Sequence, residues 1–545
     1  MAFSGAVKIG DLNDFIAPSQ ACVVSLEGGK LAAASDAEVG TVQLQPRGFS
    51  QTLPAAVDQP VKVSLHDCLA CSGCVTSAET VLLQHQSAGE LLQRLADPSW
   101  TVVVSLSPQS VAVLAALHGL PAAECAARLV AFLRQLGAAA VFDIAAARQL
   151  ALAEAAHEFV QRYSQSARGT AALSAAAAAA AAAAGEDAMD VDAAVAGRGS
   201  RDGGGPLPML ASACPGWVCY AEKTHGEHVL PYIATGKSPQ AVMGTLVKRR
   251  WCMAAGLLPA WVYHCTIMPC YDKKLEAARE DFNLPGTQVP ETDCVLATTE
   301  LQELLEQRQA DLGSLQGAPF DSMVPLPAAG AAAAPACNGS DGAGASSNGW
   351  HAAPKPPTSS SGSDAGGTLP ASSGSGGYLE YVFRAAARQL FGRQLPAGPL
   401  AMRVGRNADL REVTLEAPGG GPPLLRFAAA YGFRNIQGLM RKVKLGRCEY
   451  DYVEVMACPS GCLNGGGQPK PAAGQTSAQL LEQLETLYAD AGSGHGAVQP
   501  DADPAVQQLY HEWVQGQPGS EAARQLLHMQ YHKREKTVTA TLADW

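Results

Sequence analysis

Residues 450–468 read YDYVEVMACPSGCLNGGGQ and hold both a strand signal and a cysteine-bearing turn. YDYVEV alternates aromatic or β-branched residues with polar ones, the period of an extended strand. Cys458 and Cys462 follow it, four apart, with Pro459 and Gly461 between them. An i, i+4 pair lies on one face of a helical turn, so both thiols can reach one object. Gly465, Gly466 and Gly467 then offer bare backbone that can approach something bulky. Taken alone, the stretch reads equally well as a strand end and turn that happen to carry two cysteines.

The surrounding chain repeats this strand-first order. TVVVSL (101–106) reads as a strand and AAECAARLVAFLRQLG (122–137) as an amphipathic helix. AAVFDI (139–144) and ARQLALAEAAHEFVQRY (147–163) repeat the pair. PMLAS (208–212), SPQAVMGTLVKRR (238–250), AWVYHCT (260–266), DCVLA (293–297) and TELQELLEQRQ (299–309) continue it. Such alternation predicts an α/β fold of mostly parallel sheets flanked by helices. In such folds ligands gather beyond the carboxyl ends of strands.

That rule makes the cysteine positions informative. Cys214 follows PMLAS, Cys270 follows AWVYHCT, and Cys458 and Cys462 follow YDYVEV. Pro215, Pro269 and Pro459 stand beside three of them, each ahead of a place where a helix can start. Thiolates converging there suit a [4Fe–4S] cluster or a tetrahedral zinc. A second constellation, HDCLACSGC, holds Cys68, Cys71 and Cys74. The spacing C-x2-C-x2-C is the iron–sulfur pattern of bacterial ferredoxins, whereas zinc sites favour two separated pairs. The usual fourth position carries Ala78, which leaves Cys22 as the upstream candidate.

Composition narrows the function classes. A chain of 545 residues exceeds one core, and a net charge of −11 argues against a nucleic-acid-binding surface. TVVVSLSPQSVAVLAALHGL (101–120) comes nearest to a membrane span, but Pro108, its serines and His118 break it. MAFSGAVKIGDLNDF has neither a basic n-region nor an apolar h-region, so no secretory signal is expected. Fifteen cysteines in such a chain point to metal or redox work rather than disulfides. Two low-complexity segments, about 165–205 with its alanine run and about 312–377, are expected to be flexible, disordered insertions. Cys337 lies in the second and is expected to be a bystander. Cys125, Cys219, Cys252, Cys265, Cys294 and Cys448 are expected to pack in elements, and KRR (248–250) to be a solvated helix end.

ASACPGW (211–217), MPCYDKK (268–274) and EVMACPSGCLNGGGQ (454–468) resemble the three active-site motifs of the [FeFe]-hydrogenase family. KSPQAVMGTLVK (237–248) resembles the segment that follows the first motif. With DFIAPSQACV (14–23) and the Cys68–Cys71–Cys74 run, the chain is most similar to one eukaryotic branch. This branch is the hydrogenase-like cytosolic iron–sulfur assembly factors, or nuclear prelamin A recognition factor-like proteins. The resemblance implies an [FeFe]-hydrogenase-like fold over 99–490, a small N-terminal iron–sulfur segment over 1–98 and a C-terminal helical tail over 491–545. It implies two [4Fe–4S] clusters, the first on Cys22, Cys68, Cys71 and Cys74 and the second on Cys214, Cys270, Cys458 and Cys462. It further implies a non-catalytic role in late cytosolic iron–sulfur assembly, in the cytoplasm and also the nucleus. The chain would stand between a cluster scaffold and a targeting complex of WD40-repeat and HEAT-repeat subunits.

The enzymes remain an alternative, as does an iron–sulfur redox or oxygen sensor. The hydrogenases carry adjacent cysteines in the first motif, one of which relays protons; here that position is Ala213, whose methyl carries none. Lys273 and Met456 match the enzymes, while Tyr271 replaces a small residue and is expected to crowd a di-iron group. The final TLADW places the Trp545 indole beside Asp544 and a carboxylate, a combination suited to pocket capture. It resembles the C-terminal signal of clients and adaptors of the targeting complex, with Ala543 in place of a long aliphatic residue.

Overall fold

The structure is a computed structural model that describes residues 23–25, 41–43, 85–184, 205–323 and 374–534, less 397, 419, 472–473 and 493–498. Cys22, Cys68, Cys71, Cys74, Cys337, Asp544 and Trp545 lie outside the described residues. A short parallel pair, β1 (Val23–Ser25) with β2 (Thr41–Gln43), starts directly after Cys22. The body is built on two further sheets.

The first has four parallel strands in the order β4 (Ala140–Asp143), β3 (Thr101–Leu106), β6 (Val262–Met268), β7 (Cys294–Ala297). All seven residues of β6 are buried, as expected of a parallel strand covered on both faces. The helices Ala122–Gln135 and Thr298–Gln307 bury Leu129, Leu133, Leu301 and Leu304 against it. The second sheet has the order β5 (Met209–Ala211), β11 (Tyr452–Met456), β10 (Leu425–Tyr431), β9 (Leu410–Leu415), β8 (Arg403–Val404). β5, β11 and β10 run parallel, and β9 and β8 close the edge in antiparallel fashion. Its core stacks Phe427 on Tyr452 at 4.7 Å, with Phe159 edge-on to Phe427 at 4.8 Å. The helix Ala145–Gln165 supplies Phe159 and lies in the same core as β3 and β4.

TVVVSLSPQSVAVLAALHGL is the strand β3, a turn capped by Ser107 and the core helix Pro108–His118. Among the described residues, no single helix is long and apolar enough to cross a membrane.

Several boundaries differ from the sequence expectation. The alanine run is a helix, Ala167–Ala184, because alanine has the highest helix propensity and the first turn is anchored: Arg168 pairs with Asp451 at 3.1 Å. The second low-complexity segment also begins later than 312. Leu312 and Met323 are buried, and Asp321 accepts from the Val141 N–H at 2.7 Å. Residues 85–98 belong to the body, since Leu91 is buried and Gln86 bonds Lys274 and Val295. The described part of 491–534 is no separate tail: Tyr510, Gly519 and His528 all donate to Glu154 of the helix Ala145–Gln165.

KRR is not solvated either. Lys248 is buried in an ion pair with Asp293 at 2.8 Å, Arg249 faces Glu291 at 3.3 Å and Arg250 is buried near Glu512. The helix Pro239–Thr245 continues into these residues as a π-turn, which rotates the cations inward.

Candidate functional site

β5 and β11 belong to one sheet and β6 to the other, and the chain leaves all three at their carboxyl ends into one crevice. Cys214, Cys270, Cys458 and Cys462 border a single cavity there, of about 20 Å³. Ala213, Pro215, Pro269, Lys273, Met456 and Gly465 complete its wall. The structure therefore brings the four expected thiols together, together with Ala213, Lys273 and Met456.

Local chemistry explains each placement. Cys214 ends an extended segment where Pro215 starts the helix Pro215–Tyr220, because proline suits the first helical position. Its N–H donates to Ser212 Oγ at 3.0 Å, and its Sγ accepts from the Ala457 N–H at 3.4 Å. Cys270 precedes the helix Asp272–Ala277. Cys458 and Cys462 do not share a helical turn as the spacing suggested. The chain between them bends through Ser460 (φ 59°) and Gly461 (φ 82°), and Cys462 opens a 3-10 turn. The later glycines also act differently from the expectation. A Cβ on Gly465 would stand 2.4 Å from the Pro269 carbonyl oxygen, and one on Gly467 3.1 Å from Cys270 Cα. They let the 458–467 loop close onto the 269–270 loop, so two motifs share one wall.

The electrostatics tie the thiols to one another. Burial pushes all four up, Cys462 to about 12. Charge on Asp272 and on neighbouring thiols adds to the effect: Cys458 responds to Cys214, Cys270 and Cys462. Lys273 and the Ala457 and Trp217 N–H groups act in the opposite sense on Cys214. A positive centre inside the ring of thiols would reverse this balance, since metal ligands bind as thiolates. Among the described residues, no group of three or more His, Cys, Asp or Glu side chains is arranged to hold a single metal ion.

Lys273 is held beside the cavity by Glu276 at 2.7 Å and by Ser238 Oγ at 3.2 Å. Ser238 in turn donates to Glu276. Tyr271 does not crowd the site. Its hydroxyl meets Thr299 Oγ1 at 3.0 Å, and the ring lies outside the cavity wall. Ser375 was missed by sequence reasoning, because a Gly/Ser-rich tract hides a buried serine whose Oγ accepts from the Cys462 N–H at 3.3 Å. Asp272 was missed too, although its place two after Cys270 was visible; it is buried, and a Cβ on Gly216 would meet its Oδ2 at 2.6 Å. Cys125, Cys219, Cys252, Cys265 and Cys294 are buried, and Cys448 is partly buried, as packing residues are.

Comparison with known proteins agrees with this geometry. The family described as iron only hydrogenase large subunit, C-terminal domain, matches residues 100–466. The iron hydrogenase small subunit family matches residues 477–534. Protein NAR1 of Arabidopsis thaliana is 41% identical over 550 residues, covering 100% of this chain and 99% of its own. Cytosolic iron-sulfur assembly component 3 of Rattus norvegicus is 43% identical over 556 residues, with the same shares covered. Among solved structures, the [FeFe]-hydrogenase HydA1 of Chlamydomonas reinhardtii, in a variant form, superimposes with a TM-score of 0.60 at 23% identity. The match covers 82% of this chain and 99% of that one, and it shows the fold.

Proposed function

This chain belongs to the iron-only hydrogenase family, in the branch of the cytosolic iron–sulfur assembly components, and from that premise we propose that it is a non-catalytic iron–sulfur protein of late cytosolic cluster assembly. The observation that carries the reading is four thiols, from two sheets, around one buried cavity whose wall lacks a thiol at Ala213. Cys214, Cys270, Cys458 and Cys462 would hold one [4Fe–4S] cluster. A tetrahedral zinc, with Zn–S near 2.3 Å, would draw the four sulfurs to within about 4 Å of one another. Thiols drawn from two sheets, in a chain of the iron-only hydrogenase family, favour the cluster. Cys22, Cys68, Cys71 and Cys74 would hold a second cluster, as their spacing supports.

A bound cluster supplies thiolate-held iron of tunable potential and lability. The chain's own residues then have definite tasks. The Ala457 N–H donates toward Cys214 Sγ, which withdraws charge from that sulfur. Lys273 places a cation at the cavity wall, partly balancing thiolate charge, and Glu276 holds it in place. Ala213 offers no group to carry a proton to or from the cavity. Proton-coupled hydrogen chemistry therefore lacks a relay where the enzymes have one.

In this reading the protein works between an upstream cluster scaffold and a targeting complex of WD40-repeat and HEAT-repeat subunits, in the cytoplasm and the nucleus. Trp545 with Asp544 would dock on that complex. The test is depletion of the chain in its own cells. Cytosolic [4Fe–4S] enzymes should lose activity while mitochondrial ones keep theirs, and a Cys458→Ala copy should fail to rescue. Unchanged cytosolic enzymes after depletion would overturn the assembly role.

A further inference from the structure

A second cavity, of about 20 Å³, adjoins the four-cysteine cavity and shares Ala213, Cys214 and Pro215 with it. Ser238, Glu276 and Arg279 form its inner side, and Met529 and Tyr531 close it from the far end of the chain. These last two belong to an extended strap, residues 528–534, laid across the body. Its root is one antiparallel bridge between Gly236 and His528. The Lys237 N–H donates to Leu527 O at 2.8 Å, and the Met529 N–H to Thr235 O at 2.9 Å. Its tip rests on Glu222, a fully buried carboxylate: the His532 N–H donates to Oε1 at 3.2 Å and Arg534 Nε to Oε2 at 3.1 Å. Lys533 and Glu227 add an exposed pair at 3.8 Å.

We propose that the strap His528–Arg534 is the removable wall of the cluster site, and that an iron–sulfur cluster, or the iron and sulfide that form it, passes through the Ala213–Cys214 edge when the strap lifts. This rests on the cluster reading given above. The strap has one strong apolar hold, Tyr531, which packs against the main core; Met529 is half-buried, and His532, Lys533 and Arg534 are exposed. Segments with few buried apolar contacts open locally without global unfolding. Lifting also leaves no orphan charge behind. Arg279 grips both oxygens of Glu222, at 2.8 and 2.9 Å, whether or not Arg534 is present. Opposite the strap, the edge the two cavities share carries Ala213, the smallest side chain that keeps a Cβ. The remaining wall is fixed: Ser238 caps the helix Pro239–Thr245, and Glu276 is bound to Lys273.

The experiment uses the full-length chain in two forms. In the metal-free form, iodoacetamide labelling of Cys214 is followed by peptide mass, with buried Cys125 of the other core as the internal reference. Arg534→Glu sets a carboxylate against Glu222 and should raise the Cys214 rate about tenfold, as expected for a locally opened segment, with Cys125 unchanged. Gly236→Cys with His528→Cys should lower it. Those two residues form a non-hydrogen-bonded antiparallel pair, the closer kind, and a Cβ on Gly236 meets nothing nearer than 3.9 Å. In the reconstituted form, iron release to a ferrous chelator should follow the same order. Equal Cys214 rates in all three chains, or an equal rise at Cys125, would overturn the strap. A wild-type chain that takes up no iron would overturn the cluster reading instead, while the thiol rates would still report on the strap.

Discussion

The Ala457 N–H stands 3.4 Å from Sγ of Cys214, so the end of β11 hydrogen-bonds the thiol that follows β5. The two strands pair in register from Tyr452 with Met209 to Glu454 with Ala211, which fixes that approach. Cys214→Ser would put a harder, poorer ligand at this point while keeping the helix cap. About four of roughly eight irons per chain should be lost, and near-UV circular dichroism should persist because Trp217 stays packed. Full iron content in the variant would remove Cys214 from the ligand set.

Hydrogen turnover should be absent. Lys273 and Met456 line the cavity as they would in an enzyme, but Ala213 stands where a proton relay would. Purified, reconstituted protein exposed to hydrogenase maturation factors, then to reduced viologen, should release no hydrogen above a Cys270→Ala control by gas chromatography.

Lys237 and Glu291 form a buried pair at 2.7 Å, with Thr245 Oγ1 donating to the same carboxylate oxygen. Lys237→Met should cost about 3 kcal/mol, because the carboxylate stays buried with less positive charge beside it. Adding Glu291→Leu should recover part of the loss. Urea midpoints of the three chains decide the matter; a single variant as stable as the parent would mean that the pair contributes nothing.

His264 should make the fold acid-sensitive. Its Nδ1–H donates to the Glu291 carbonyl at 3.1 Å, and its Nε2 lies 2.9 Å from Ser105 Oγ, which donates to it when the ring is neutral. Burial lowers its pKa from 6.5 to about 3. The unfolded chain therefore takes up a proton that the folded chain refuses. The neutral ring's stability is complete above the unfolded pKa and is lost as pH falls toward the folded one, by ~1.4 kcal/mol per pH unit. Burial raises Glu380 to about 7 and Asp451 to about 6, which works in the opposite sense over the same range, so the His264 part is read as a difference. From pH 6.5 to 5.5, urea melts of the metal-free parent should lose about 1 kcal/mol more than those of His264→Gln.

The first low-complexity segment should divide in two when deleted. Removing 185–204 with a short bridge should leave iron content intact, since loop length costs little. Removing 167–204 should lower stability, because Arg168 pairs with Asp451 and donates to the Glu449 carbonyl. Equal melts of the two deletions would return the whole segment to linker status.

The parallel core was legible because its strands carry β-branched runs such as TVVVSL and its helices a clear apolar period. The antiparallel edge was legible but unread: EAPGGGPP joins Leu410–Leu415 to Leu425–Tyr431 as a hairpin turn would. The helix Pro108–His118 has no polar stripe, as it packs on several sides, and so reads only as an apolar run. At the site, the cysteines could be found from strand ends alone. Ser375, Glu276 and Tyr531 could not be placed there, because they arrive through tertiary packing from distant parts of the chain.

Cys22, Cys68, Cys71 and Cys74 should hold one cubane cluster, and Cys214, Cys270, Cys458 and Cys462 another. Mössbauer spectra of anaerobically reconstituted wild-type protein, with iron and sulfide counted on the same sample, test this most directly. The expected result is roughly eight irons per chain in two [4Fe–4S] environments, one of them absent from Cys458→Ala and the other from Cys71→Ala. One or two zinc ions per chain with no sulfide, or a spectrum unchanged in both variants, would contradict it.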